Sequence, residues 1–131
     1  MKRLLAAIVA AGACAVAGQA YAHHSFPEIY LEDRTITIEG ELAQIVLRNP
    51  HSFVHLEAPD ANGVPQRWAV EWGGTAQLAG AGVKRDSLKV GDAVVLTVNP
   101  SRAPGEYRVL MLTLKRPVDG FAWGRRADQT E

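Results

Sequence analysis

The sequence predicts a small all-β domain, a five-stranded barrel with one short helix between its third and fourth strands. Two observations predict this fold class. Short runs of alternating apolar and polar residues recur between clusters of Gly, Pro, Asn and Asp, a pattern typical of strands and turns. One helical stretch interrupts the series after the third run. A chain of 131 residues has room for one modest hydrophobic core.

The start of the chain has the three parts of a secretory signal peptide. Two of the first three residues are basic, residues 4–18 are apolar and rich in alanine, and small residues stand at Ala20 and Ala22. The apolar run is short for a membrane span. We therefore expect cleavage after Ala22 and a periplasmic or secreted bacterial protein, without a stable membrane span, whose first residue is His23.

The single cysteine, Cys14, lies inside this leader. Lipidation of Cys14 is the alternative outcome, although Ala11 stands where lipoprotein signals usually carry a large aliphatic residue. Cleavage after Ala22 would leave a mature chain without a thiol, which excludes disulfides, thiolate nucleophiles and cysteine metal sites. Histidines and carboxylates would then carry any chemistry.

The charge pattern disfavours a nucleic-acid partner. The chain has 14 basic and 14 acidic residues, and loss of Lys2 and Arg3 would leave a small acidic excess. The basic clusters that remain are pairs of neighbours, which usually form solvated surface, and they do not line up as a stripe.

The first predicted strand spans residues 35–47. Its apolar alternation changes phase near Ala43, which predicts a β-bulge there. Gly40 in mid-strand would let the strand bend, as the first strand of a small barrel must. The segment before it, residues 23–34, forms a histidine-bearing arm that we expect to be flexible.

Four further strands and one helix complete the predicted barrel domain, residues 35–116. Asn49-Pro50 ends the first strand, and the turn residues 59–63 join the second and third strands as a hairpin. Thr75 is placed to cap the helix and Gly82 to end it. This βββ-α-ββ order is that of the oligonucleotide/oligosaccharide-binding (OB) fold. The predicted strands are 53–58, 66–72, 93–99 and 107–115, the helix is 75–81, and a tail over 117–131 carries Phe121 and Trp123 to cover a barrel end.

The four histidines are the sharpest chemical feature of the sequence. Cleavage after Ala22 would give His23 a free α-amine, so that the amine and Nδ1 of its ring could chelate one metal ion. An imidazole from His24 or His51 would complete a nitrogen set that suits Cu(II) first and Zn(II) or Ni(II) less well. The predicted metal ligands are therefore His23, His24 and His51, and copper is the preferred metal.

His51 is a better partner for His23 than His55 is. The two residues lie four apart, which on a strand separates them by roughly 13 Å and keeps them from sharing an ion. His51 directly follows the Pro50 break at a predicted barrel rim, where the arm can reach it. His55 lies in mid-strand.

Two residues of the third strand are candidates to support these ligands. Glu71 alternates onto one face with Ala69, and we expect an exposed side chain there. Trp68 shares the opposite face with Val70 and Trp72, which predicts a core role for both tryptophans.

The sequence resembles a family of small secreted bacterial proteins catalogued as domain of unknown function 6152. The resemblance implies a secreted β-barrel-like domain and brings no activity with it. It marks His23, His24, His51, Trp68 and Glu71 as positions to test, and it argues against a role for His55, where members carry an apolar or aromatic residue. The motifs that carry it are Ala22-His23-His24-Ser25-Phe26, Asn49-Pro50-His51, Trp68-Ala69-Val70-Glu71 and Leu88 with Gly91-Asp92.

Three functions are compatible with the sequence. The first is a periplasmic protein that binds or handles a metal, copper before others, through its N-terminal histidines. The second is a cofactor-free binding module for a glycan, a small molecule or an envelope protein. The third, a copper-dependent oxidase, has the least support. Ser25 lacks the surroundings of a hydrolase nucleophile, and we do not expect an enzyme.

Overall fold

A computed structural model describes residues 25–124. The element order contains the predicted βββ-α-ββ series, preceded by a short helix and followed by a sixth strand. The predicted leader, with Cys14, lies outside the described residues, as do His23 and His24. The elements are α1 (Ser25–Ile29), β1 (Ile36–Val46), β2 (His51–Pro59), β3 (Pro65–Gly73), α2 (Thr75–Gly80), β4 (Ala93–Pro100), β5 (Arg108–Arg116) and β6 (Phe121–Gly124).

Five strands close into a barrel, which confirms the predicted fold class. Neighbouring strands follow the order β3-β2-β1-β4-β5 with antiparallel pairing throughout. The barrel closes where β3 and β5 pair in parallel, over Ala69–Glu71 and Arg108–Leu110. We call this pairing the seam. β6 adds to the other half of β5, from Thr113 to Arg116.

β1 pairs with two neighbouring strands and bends between the two pairings. Its first half pairs with β4 and its second half with β2. The register shifts between Leu42 and Gln44, which confirms the predicted bulge at Ala43. A Cβ atom at Gly40 would collide with the carbonyl oxygen of Glu57 on β2. Glycine is therefore required where the two backbones approach.

The core lies inside the barrel and is built from alternate residues of every long strand. In β2 and β3 these positions are almost fully buried, and Trp68 and Trp72 are in the core as predicted. The largest fully buried side chains are Trp72, Tyr30, Leu42, Leu56, Leu78, Leu96 and Leu114.

The cap of α2 differs from the prediction. Gly74, not Thr75, is the N-cap residue, and the Ala76 amide donates to Oδ1 of Asn49 at 3.5 Å. A Cβ atom at Gly74 would lie 2.5 Å from the Pro50 carbonyl oxygen. Position 74 therefore requires glycine, because the loop there passes close to the backbone of Asn49-Pro50. The Asn49–Pro50 peptide bond is cis. Gly82 follows α2 with a positive φ of 82°, as predicted.

Two segments are more ordered than the sequence indicates. Tyr30 of the predicted flexible arm is fully buried and forms an isolated antiparallel β-bridge with Ser101. The next residue is also held, because the Leu31 amide donates to the Pro100 carbonyl at 2.9 Å. In the tail, residues 121–124 form a strand. Within residues 25–124, no helix has the length and hydropathy needed to cross a membrane.

Candidate functional site

His51 opens β2 at the barrel rim and makes one short polar contact. Its Nδ1 lies 3.0 Å from Oε1 of Glu71 on β3. The β2–β3 register pairs His51 with Gly73 and Phe53 with Glu71, so the histidine and the carboxylate are diagonal neighbours on one face. The His51 side chain is 35% exposed, whereas that of Glu71 is 7% exposed. The site therefore has a covered carboxylate and an accessible imidazole.

The burial of Glu71 corrects the prediction of an exposed side chain. Strand alternation places Glu71 on the outer face of the barrel, but the segment after α1 covers that face with Tyr30. The Tyr30 hydroxyl donates to Oε2 of Glu71, and a guanidinium nitrogen of Arg108 lies 2.8 Å from the same oxygen. Nε of Arg108 also donates to the Tyr30 hydroxyl at 3.0 Å.

We call Tyr30, Glu71 and Arg108 the seam cluster, because Glu71 and Arg108 belong to the two strands that meet at the seam. Burial, together with the hydrogen bond to Glu71, raises the pKa of Tyr30 well above its usual value. The hydroxyl thus stays protonated and remains a donor. The hydrogen bond to Glu71 raises the pKa of Arg108, which stays cationic. Both carboxylate oxygens of Glu71 are engaged, one by His51 and the other by the cluster.

Aromatic rings pack around this polar centre. The Phe26 ring centroid of α1 lies 5.1 Å from that of His51 and 6.2 Å from that of Tyr30. The guanidinium of Arg108 lies over the Phe53 ring at 5.6 Å from its centroid. The imidazole therefore has a carboxylate at Nδ1 and a tilted aromatic ring beside it, which together fix its orientation.

The structure brings together some of the predicted site residues and separates others. His51 and Glu71 are in contact, as described. Trp68 belongs to another part of the core, where its Nε1 donates to the Ala58 carbonyl at 3.1 Å. His55 pairs with Ala69 at mid-strand, where burial lowers its pKa. His23 and His24 lie outside the described residues.

Sequence reasoning missed Tyr30 and Arg108. Each lies at least 37 residues from Glu71, and the two are 78 residues apart. Neither belongs to a local motif. Arg108 alternates outward beside the buried Val109, which predicts only an outward-facing cation. The one available signal is that residues 23–34 contain a single tyrosine, Tyr30. Its burial depends on contacts with distant residues, which no local sequence pattern indicates.

Comparison with known proteins gives a family and no function. A family model described as a family of unknown function (DUF6152) matches residues 11–108. The matched range contains the His51–Glu71 pair and all of the seam cluster. No curated protein matches the chain.

Proposed function

The chain belongs to the DUF6152 family, whose function is unknown, and we propose that it is an exported metal-binding protein that uses His51 and its N-terminal histidines. Copper(II) is the preferred ion. The observation that carries the proposal is the 3.0 Å contact between Nδ1 of His51 and Oε1 of Glu71. The same proposal includes cleavage after Ala22, ligand roles for His23 and His24, and a periplasmic location.

The Glu71 contact favours a ligand role for the other nitrogen of His51. A neutral imidazole that donates from Nδ1 to a carboxylate presents Nε2 as a lone-pair donor. Metal-binding histidines commonly have this arrangement, because the carboxylate fixes the ring orientation and raises the basicity of the ligating nitrogen. The partial exposure of His51 leaves a route for an ion.

The position of α1 supports participation of the N-terminus. Phe26 packs against the His51 ring, and only two residues separate it from His23 in sequence. Consecutive Cα atoms are about 3.8 Å apart, so the Cα of His23 can lie no further than roughly 11 Å from that of Phe26. This short spacing supports the proposed ligand role of His23 beside His51.

The chemistry of the available ligands favours copper. Within the described range, no group of three or more His, Cys, Asp or Glu side chains could hold a metal ion. A site at His51 would therefore draw its other ligands from His23 and His24, which lie before that range. Nitrogen ligands from an α-amine and imidazoles suit Cu(II) better than Mg(II) or Ca(II), which prefer oxygen.

The test is a Cu(II) titration of secreted protein whose His23 terminus has been verified by intact mass. We expect one tightly bound ion per chain, and at least tenfold weaker binding in a variant with one extra residue ahead of His23. His51→Gln should weaken binding similarly, whereas the matched control His55→Gln should not. Binding should also weaken as the pH falls, since the amine and the imidazoles must be deprotonated to ligate.

Two outcomes would contradict this proposal. A mature terminus elsewhere than His23 would remove the chelating amine. Absent or equally weak binding in the native and extended proteins would leave the cofactor-free binding module as the better description. Glu71→Gln adds a finer test: loss of a supporting carboxylate typically costs 10- to 100-fold in metal affinity.

A further inference from the structure

A groove lies between the end of β1, α2 and the loop that follows α2. We call it the α2 groove, and its volume is about 250 Å³. A narrower neighbouring cleft shares Leu47, Val83 and Arg85 with it. The groove is on a different side of α2 from the proposed metal ligands, none of which lines it. Its lining residues are Leu47, Thr75, Leu78, Ala79, Val83 and Arg85.

Backbone hydrogen bonds hold the walls of the α2 groove in place. The Thr75 amide donates to the Arg48 carbonyl at 3.3 Å, which ties the start of α2 to the end of β1. At the other end of α2, the Val83 amide donates to the Leu78 carbonyl at 2.9 Å. The turn over residues 84–87 is closed by a further backbone hydrogen bond of 3.1 Å. The groove is therefore formed before a ligand binds, as small-molecule sites usually are.

Two basic residues stand at the rim of the groove. Lys84 and Arg85 are exposed, and Arg85 lines both the groove and the cleft. The ion pairs within residues 25–124 use other basic residues, so neither side chain has an acidic partner in that range. An exposed arginine beside apolar surface packs its stem along that surface and keeps its guanidinium in water. The groove thus ends at a positive charge that the described residues leave uncompensated.

The walls and the volume of the groove define what fits. Leu47 is only half-buried and Ala79 is exposed, so apolar surface remains in contact with water there. An apolar cavity of about 150 Å³ takes up the six carbons of benzene, so about 250 Å³ has room for a chain of roughly eight carbons. None of the described residues lining the groove or the cleft is acidic. An alkyl chain with an anionic head matches both the walls and the rim.

We propose that the α2 groove binds the anion of a free medium-chain fatty acid. The alkyl chain lies along Leu47, Leu78 and Val83, where burial of each methylene group contributes to binding. The carboxylate pairs with the guanidinium of Arg85, whose planar fork of N–H donors matches the two carboxylate oxygens. This binding needs no metal, uses none of the proposed metal ligands and goes beyond the proposed function.

The experiment titrates three probes into chelator-treated, metal-free protein at concentrations below micelle formation. Octanoate is the test ligand. Octan-1-ol keeps the chain length and lacks the charge, whereas butanoate keeps the charge on half the chain. We expect octanoate to bind at one site per chain, at least tenfold more tightly than either of the other probes.

Methyl signals in ¹H–¹³C spectra locate the bound probe. Octanoate should move the signals of Leu47, Leu78 and Val83. It should leave that of Met111 in place, because Met111 lines a different pocket, beside His51. Shifts at Met111 without shifts at the three groove residues would overturn the proposal.

Two variants test the role of the charge. Arg85→Gln should lower the affinity for octanoate at least tenfold and leave that for octan-1-ol unchanged. The matched control Arg34→Gln removes the same charge from another exposed arginine, which lines neither the groove nor the cleft, and should bind octanoate normally. Equal losses in the two variants would indicate attraction by overall charge and overturn the proposal.

The probe comparison on unmutated protein decides the matter even if a variant does not fold. Absent binding of octanoate, or equal affinity for octanoate and octan-1-ol, would refute a fatty-acid site at the α2 groove. Either result would leave the metal proposal untouched, because these titrations contain no metal ion.

Discussion

At the scale of single residues, Glu71 makes the polar contacts that connect three elements on the outer face of the barrel. One carboxylate joins His51 of β2, Tyr30 from the segment after α1 and Arg108 of β5. Strand alternation correctly predicted which face Glu71 occupies. Its burial could not be predicted, because the covering tyrosine is 41 residues away and no local pattern connects the two.

Glu71→Gln should destabilise the protein by about 2 kcal/mol, because it removes a charge-assisted hydrogen bond in a covered position. Glu57→Gln is the matched control, since Glu57 also pairs with an arginine, Arg67, at 3.2 Å. The Glu57 side chain is 53% exposed, and exposed pairs contribute at most about 1 kcal/mol. Urea unfolding of both variants measures the difference. Equal losses would show that burial of Glu71 adds nothing.

The raised pKa of Tyr30 predicts a loss of stability in alkali. Above its usual pKa of 10.0, an unfolded chain releases the tyrosine proton while the folded protein retains it. This contribution is therefore complete below about pH 10 and declines as the pH rises further, by up to about 1.4 kcal/mol per pH unit.

Tyr30→Phe should reduce that slope in urea unfolding between about pH 9 and 11. Tyr107, whose pKa is raised by its hydrogen bond to Asp60, contributes to the slope that remains. The slopes of the two proteins are compared, so this shared contribution cancels. Parallel curves for the two proteins would mean that Tyr30 ionises as it does in the unfolded chain.

At the scale of elements, the long strands were predictable and the short segments were not. The phase change at Ala43 and the turn before β3 are local signals, and both led to the observed strands. β6 has four residues and is defined by its pairing with β5, so its own pattern is too short to indicate a strand. The cap of α2 was missed because Asn49 comes from a distant loop.

Gly40→Ala should destabilise the barrel by roughly 1–3 kcal/mol or more, because the new methyl group forces β1 away from Glu57. Gly80→Ala is the matched control. Gly80 is the last residue of α2, and a Cβ atom there would meet nothing within 4 Å. That change should be neutral or stabilising by up to about 1 kcal/mol. Urea midpoints measure both, and a tolerated Gly40→Ala would refute the close approach of β1 and β2.

At the scale of the whole molecule, the seam is the shortest pairing that closes the barrel. It joins Ala69–Glu71 to Arg108–Leu110, three residue pairs, whereas nine pairs join β2 to β3. The seam cluster lies across this closure. Glu71, which contacts His51, therefore also helps to stabilise the closed barrel.

Arg108→Gln should loosen the seam before the rest of the barrel. The Ala69 amide, which donates across the seam to the Tyr107 carbonyl at 2.8 Å, should exchange with solvent about tenfold faster in the variant. The Leu42 amide, which donates to the Asp92 carbonyl at 2.9 Å, is the internal control, because β1 pairs with β2 and β4 and with neither strand of the seam. Native-state hydrogen exchange measures both. Equal acceleration at the two positions would indicate a global loss of stability without local opening.

The hydrogen bond between Arg108 and Tyr30 joins residues 78 positions apart, and that between Arg102 and Pro27 joins residues 75 apart. Contacts of such long range form only after most of the chain has been ordered, because the entropy of closing large loops must first be overcome. Glu71 acquires Tyr30 and Arg108 at that late stage of folding, whereas its contact with His51 lies within the hairpin of β2 and β3. A growing or partly folded chain can therefore contain His51 beside an uncovered carboxylate, and only the completed barrel adds Phe26 against the ring and covers Glu71.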